Sequence, residues 1–334
     1  MASKHQKRFL WIDDAPNERK AQIAFLSRKI HIEKLIIGPE EKSSWFDRLK
    51  SRRIPAIEIV FVDQNLSNNS TYEAFSAGSS LCSVLRAKFP GVPIVGVSAT
   101  SKKEIPYSQV KEFTEFYELA QMRDSIAEIE TLISGFSKLR CSKNQKMNAH
   151  IMDLLGVPES DQDLMEKIIP SDFKGKASAQ VVEDLYKWLK SSLFSFQGIL
   201  ISPPQLAAVI GLTVEAFRRY VESELEECKY KGVFACDDTK LYWKSLALEK
   251  LTKLASGEKT GLKLSHYGYA ITKNEKTLAE CPVCHEKYTE VLAYEEDSFN
   301  SIEKSAAHLR CVQEAHISRP AFFDPVYVVR NAVI

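Results

Sequence analysis

Three acidic side chains stand where apolar runs of the chain end. Asp13 and Asp14 follow Phe9-Leu10-Trp11-Ile12, and Asp63 closes the run from Ile57 to Val62. A hydroxyl, Ser98, follows a third run from Val92 to Val97. Short apolar runs bounded this way read as buried strands, and the carboxyl ends of parallel strands are where ligands bind. Three carboxylates gathered there repel one another, so one holds a proton unless a cation neutralises the group. Mg²⁺ suits such a site, since it takes a few carboxylates, a backbone carbonyl and water. The ion would let one carboxylate attack a phosphoryl group by neutralising charge on the transferring oxygens. A second group able to do chemistry is Cys281-Pro282-Val283-Cys284. Two thiolates three apart at a tight turn can face one Zn²⁺.

The elements around the acids alternate in type. Pro16 opens a helical stretch with Ile23 and Leu26 among its apolar positions, and Leu35-Ile36-Ile37 is a second strand that ends at Gly38. Ser80 to Phe89 has helical spacing at Leu81, Val84 and Leu85. Phe113 to Tyr117 is a weak fifth strand, followed by a helix from about Ser125 to Phe136. Strands alternating with helices imply right-handed crossovers and a parallel sheet. This α/β domain is expected over residues 1–142.

Residues 7–138 resemble the response-regulator receiver domain. The resemblance rests on Trp11-Ile12-Asp13-Asp14, on Phe61-Val62-Asp63, and on Gly78, Leu85-Arg86 and Phe89-Pro90 leading into Val92 to Ala99. It implies a flavodoxin-like sheet of five parallel strands. It also implies that Asp63 is the phosphoacceptor, that Asp13 and Asp14 bind Mg²⁺, that the Asn65 carbonyl is a further metal ligand, and that Ser98 is the switch hydroxyl. Two features depart from the pattern. Receivers carry a Lys-Pro pair after the fifth strand, its ammonium on the acyl phosphate, whereas Phe116 to Gln121 has no lysine. The loop after Asp63, Gln64 to Thr71, is long and polar. Losing the lysine removes one charge partner of the phosphate. Both a phosphorylated receiver and a pseudo-receiver used for docking follow from the resemblance.

Residues 143–255 read as a mainly helical domain. Val182, Leu185, Trp188 and Leu189 form a helical apolar stripe. Gln205 to Tyr220 resembles a helix-turn-helix, with Ala207 in the first helix, Gly211 at the turn, and Phe217 and Tyr220 in the second. Lys229 to Leu246 could form a hairpin turning at Asp237-Asp238, which would make a winged helix. If the second helix runs from Val214 to Cys228, it carries five glutamates against Arg218 and Arg219, a net charge of −3. Contact with DNA phosphates draws on cations, and only Arg218 and Arg219 near the helix start could supply them.

Residues 256–334 are expected to be a small zinc-binding α+β domain. From about Ser298 to Ala315 the apolar stripe Phe299, Ile302, Ala306 and Leu309 predicts a helix that carries His308 and Cys311. Three residues span about 60° around a helix, so both can face one ion. The expected structural Zn²⁺ ligands are Cys281, Cys284, His308 and Cys311, with His316 as an alternative to His308. His285 directly follows a ligand and would point away. The set resembles a ββα zinc finger of the Cys-Cys-His-Cys kind, with a long gap of 23 residues between Cys284 and His308. Phe322 to Val329 reads as a final strand.

Composition narrows the function. The 334 residues carry 45 Lys and Arg against 44 Asp and Glu, a net charge of +1, and neither excess gathers in one third of the chain. That excludes bulk electrostatic binding of polyanions. Ser191 to Val214 lacks charge but holds Pro203-Pro204, Gln197 and Gln205, so it reads as a buried segment and no membrane span is expected. Seven cysteines, three of them near the C-terminus, point to a reducing, cytoplasmic compartment. No phosphate-cradling glycine loop, nucleophile elbow or His-Glu-x-x-His appears. The expected function is a non-enzymatic signalling protein acting through protein partners such as a kinase or ATPase, with homo-oligomers open. The alternatives are a DNA-binding transcriptional regulator using residues 200–246, and a component of a bacterial defence system.

Overall fold

The computed structural model describes residues 8–30, 33–37, 57–66, 77–140, 147–174, 179–194, 198–236, 240–256, 261–281, 284–287, 291–295 and 304–308. The chain divides into two compact units, Met1–Leu154 with Ile169–Lys187, and Leu155–Ile168 with Trp188–Ile334. The segment 143–255 contributes to both. No described helix is long and apolar enough to cross a membrane.

The first unit runs β1 (Arg8–Ile12), α1 (Lys20–Lys29), β2 (Glu33–Ile37), β3 (Ile57–Asp63), α2 (Cys82–Lys88), β4 (Ile94–Ser98), α3 (Tyr107–Val110), β5 (Glu115–Glu118), α4 (Ile126–Arg140) and α5 (Met147–Leu155). Its sheet has the order β2-β1-β3-β4-β5, and every pair is parallel. This is the flavodoxin-like order, in which the winding reverses between β1 and β3. One face of the sheet presents Leu10, Ile12, Val60, Val62 and Ile94 to a core that includes Leu81 and Leu85. Alternate residues Phe9, Trp11 and Phe61 form an aromatic cluster, with ring centroids 5.7 Å apart for Phe9–Phe61 and 5.4 Å for Trp11–Phe61. The one acid inside β3 before its end, Glu58, is buried and receives the Arg140 guanidinium of α4 at 2.5 Å.

After α6 (Gln162–Ile168), the helix α7 (Ala179–Trp188) lies mostly in the first unit. Its Glu183 takes Nε and a terminal nitrogen of Arg86 on α2, both at 2.7 Å. Its Tyr186 hydroxyl donates to Glu115 of β5, and its ring lies 5.3 Å from that of Phe136. The stripe expected to run on as one helix changes at Leu189 to a π-helical turn over Leu189–Phe194.

The second unit continues with β6 (Leu200–Ile201), α8 (Pro203–Val209), α9 (Val214–Tyr220), β7 (Tyr242–Trp243), α10 (Lys244–Ser256), α11 (Tyr267–Thr272), β8 (Val291–Glu295) and β9 (Lys304–His308). Leu206, Ile210, Phe217, Leu225, Tyr242 and Leu251 form its core. β7 pairs antiparallel with β6, and Tyr230 N–H donates to Leu241 O at 2.8 Å. The expected turn at Asp237-Asp238 lies outside the described residues.

Two expected helices are corrected. The helix expected from Val214 to Cys228 ends at Tyr220, and Glu222–Cys228 is a 3₁₀ segment. Glu222 and Glu226 would stack one turn apart on an α-helix and repel, while Leu225 and Cys228, three apart, are both buried as a 3₁₀ repeat allows. The helix expected from Ser298 to Ala315 is interrupted by β9, which pairs antiparallel with β8 from Val291↔His308 to Glu295↔Lys304. A lone β8 would leave its backbone groups unpaired. Pairing with β9 satisfies them, and the ladder overrides the weak helical stripe. The expected strand Phe322–Val329 lies outside the described residues.

Candidate functional site

β1 and β3 are neighbours at the reversal of the sheet, and their carboxyl ends open on the crevice that such folds use for ligands. Asp13 and Asp14 leave β1 there, and Asp63 is the last residue of β3. One carboxylate oxygen from each of the three lies within 4.8 Å of the others, and all three residues are buried. The sequence expectation that the acids converge is thus met in space.

The carboxylates are held from the backbone and from the sheet. Trp11 Nε1 donates to Asp13 Oδ2 at 3.0 Å, and Ala15 N–H donates to Asp13 Oδ1 at 2.7 Å. Asn65 N–H donates to Asp63 Oδ1 at 3.1 Å. A glycine is needed next to this site. A Cβ on Gly78 would stand 2.1 Å from Asp63 O, and Gly78 N–H donates to Gln64 O at 2.8 Å. Ser98 is buried at the end of β4, one position beyond Val97, the register partner of Asp63, and its Oγ accepts from Thr100 N–H at 3.0 Å.

Burial pushes the Asp63 carboxyl up to about 7, and the Asp13 charge adds to this; the Asn65 N–H and the Arg19 charge pull it partly back. Burial also raises Asp13, against the hydrogen bonds from Trp11 and Ala15. Near neutral pH the group therefore carries less negative charge than three aspartates would in water. A hard divalent cation fits it: oxygen donors alone, three carboxylates within reach of one ion, and an electrostatic penalty that the ion removes.

No protein-family model and no curated protein matches the chain. Similar solved structures include response regulators. One from Thermotoga maritima is 15% identical, with 39% of this chain covering 98% of that one at a TM-score of 0.28. The response regulator TrrA of the same organism, solved in complex with Mg²⁺-BeF, is 18% identical, with coverage of 36% and 99% and a TM-score of 0.25. A response regulator from Burkholderia pseudomallei, solved with a phosphorylated aspartic acid, a calcium ion and citrate, is 18% identical, with coverage of 48% and 93% and a TM-score of 0.29.

The other candidate residues fare differently. β5 ends at Glu118, whose carboxylate accepts from Ser101 Oγ at 3.0 Å and Lys102 N–H at 2.9 Å. Cys281 and Cys284 lie in a tight turn: His285 N–H donates to Cys281 O at 2.9 Å, Cys281 N–H donates to Glu286 O at 3.1 Å, and His285 takes φ 61°. His285 is exposed, with Nδ1 3.0 Å from a Glu280 carboxylate oxygen. His308 ends β9, so its expected pairing with Cys311 on one helical face is corrected. Cys311 and His316 lie outside the described residues. Among the described residues the three aspartates are the group that could hold a metal ion.

Arg218 and Arg219 are exposed on α9, and the Arg219 guanidinium sits 5.3 Å from the centroid of the Tyr220 ring. Thr213 Oγ1 caps α9 by accepting from Ala216 N–H at 3.2 Å. The turn between α8 and α9 is made at Gly211, with φ 76° and a Cβ position only 2.5 Å from Ser265 O.

Trp11 and Gly78 enter the sequence reading only as motif positions, without their contacts to Asp13 and Asp63, and Arg19 does not enter it. Trp11 did carry a signal: a buried indole N–H seeks an acceptor, and residues two apart on a strand share a face. The approach of Gly78 to Asp63 had no local signal.

Proposed function

We propose that the first unit is a signalling switch of the receiver kind. Asp13 and Asp14 hold a divalent cation together with Asp63, and the Asn65 carbonyl supplies a further oxygen. The cation would neutralise charge on the transferring phosphoryl oxygens. A carboxylate oxygen of Asp63 bonds to phosphorus as the donor's leaving group departs with the electron pair of the broken bond. Ser98, at the end of the adjacent strand, offers a hydroxyl to the phosphoryl group. The rest of the chain would pass the change to protein partners, with a kinase or ATPase as the natural source of phosphoryl groups. The observation that carries this reading is the convergence of three buried carboxylates at the reversal of the sheet.

Incubation of the full chain with Mg²⁺ and a small acyl phosphate tests it by intact mass. Wild type gains one phosphoryl group, and neither Asp63→Asn nor chelated wild type does. No adduct on wild type, or one that persists in Asp63→Asn, overturns the phosphoryl reading.

A second reading, DNA contact through α9, is favoured by where the helix stops. With the 3₁₀ segment removed, α9 carries Glu215 against Arg218 and Arg219, so its net charge is +1 instead of −3. Cations at exposed positions on a short capped helix are what phosphate contact requires. At low salt the chain should shift duplex DNA, and the Arg218→Ala, Arg219→Ala double variant should weaken binding with a shallower salt dependence. No shift at low salt removes this reading.

A further inference from the structure

The acidic site has a cation beside it that does not come from the end of β5. Leu119, Ala120 and Gln121 after β5 offer none, and Glu118 is engaged with Ser101 and Lys102. Arg19 stands in the turn that follows Asp13 and Asp14 and directly precedes α1. Two hydrogen bonds fold that turn, Glu18 N–H to Ala15 O at 3.0 Å and Arg19 N–H to Pro16 O at 3.2 Å, and Ala15 is itself tied to the Asp13 carboxylate. The Arg19 charge is near enough to interact with both Asp13 and Asp63.

The Arg19 side chain is only 21% exposed. Its Nε is buried and has no hydrogen-bond partner. A terminal nitrogen makes a loose contact, 3.8 Å, with Glu18, which is 70% exposed and so holds it weakly. A buried guanidinium N–H without an acceptor is costly, and an incoming anionic oxygen removes that cost.

We propose that Arg19 is the cationic partner of the phosphoryl group at Asp63, doing from the start of α1 what the lysine after the fifth strand does in receivers. The inference rests on the phosphoryl reading above. It makes the site a mixed one, in which three acids and a cation share one crevice. Arg19 therefore acts with opposite sign on the two ligands: it opposes Mg²⁺ and favours the anion. A merely structural arginine would not do this.

Calorimetric titration of the full chain separates the cases, first with Mg²⁺ alone and then with beryllofluoride, a phosphoryl mimic, at saturating Mg²⁺. In Arg19→Ala, Mg²⁺ should bind as tightly as in wild type or a few-fold tighter, while beryllofluoride should bind about tenfold more weakly, the loss of one charge-assisted hydrogen bond. Arg19→Lys should recover part of the loss, and Arg19→Gln should not. These two variants carry the test if Arg19→Ala fails to fold by circular dichroism. Equal beryllofluoride affinity in wild type and the neutral variants overturns the role of Arg19 and leaves the phosphoryl reading standing. Parallel weakening of Mg²⁺ and beryllofluoride also overturns it, by marking Arg19 as structural. A wild-type chain that binds Mg²⁺ but not beryllofluoride removes the phosphoryl reading, and this inference with it.

Discussion

With divalent cations chelated, Asp63→Asn should gain stability over wild type as the pH rises from about 4 to about 8, by about 4 kcal/mol. The sign follows from the raised carboxyl. Asp63 has an ordinary value of 3.8 and is pushed to about 7 in the fold. Between those values the unfolded chain has released this proton and the folded chain keeps it, so unfolding free energy falls by about 1.4 kcal/mol per pH unit. The favourable contribution of the neutral acid is thus present at low pH and lost as the pH climbs through the folded value. Asn65 N–H still finds an oxygen acceptor in Asp63→Asn, and the desolvated charge is gone. Asp13, also raised by burial, keeps part of the slope in the variant. Saturating Mg²⁺ should reduce the difference, because an ion that binds only the folded chain stabilises it by mass action. Urea denaturation of both proteins at several pH values, with and without Mg²⁺, measures this. Parallel profiles would show that Asp63 is not a strained acid in the metal-free chain.

Arg86→Ala should cost about 3–5 kcal/mol, among the largest losses from a single change outside the apolar core. The Glu183 side chain is 7% exposed and takes two nitrogens of Arg86. Burial pushes its carboxyl up, but the Arg86 hydrogen bonds and charge, helped by Lys187, outweigh burial and hold it below the usual carboxylate range. The pair therefore contributes stability above pH 4.5, and the contribution is lost as the pH falls through the lowered value. In Arg86→Ala the carboxylate stays buried with Lys187, 44% exposed and 3.1 Å away, as its remaining ion pair. The Arg86→Ala, Glu183→Ala double variant should cost less than the sum of the singles, because it leaves no stranded charge. Lys253→Ala, at an ion pair 70% and 62% exposed, is the comparison and should change stability by under about 0.5 kcal/mol. Denaturant midpoints of the four variants decide it, and a cost for Arg86→Ala as small as that of Lys253→Ala would contradict the buried-pair account.

The acids were legible because their placement is local. Each ends a run of residues whose side chains are apolar enough to be buried on both faces, and a strand's direction sets which end they occupy. Ser98 was legible for the same reason. The helical end of the middle region was misjudged at Tyr220, where apolar spacing continues but glutamates of like charge accumulate. β9 was misjudged because Phe299, Ile302, Ala306 and Leu309 match a helical period, and only a partner strand could overrule it.

By itself, then, the sequence determined the strands of the first sheet, the three acids at their carboxyl ends, and the absence of a lysine after β5. Burial of apolar runs and the direction of the chain are enough for that. Tertiary structure decided which groups those acids meet. The Trp11 indole on Asp13 and Arg19 with an unpartnered buried Nε follow from how the chain folds around the end of β1, and the glycine crossing against Asp63 from how Gly78 returns to the end of β3. The Arg86–Glu183 pair joins residues 97 apart in the chain. Such contacts depend on three-dimensional proximity between charged and polar groups, and no period in the sequence records it.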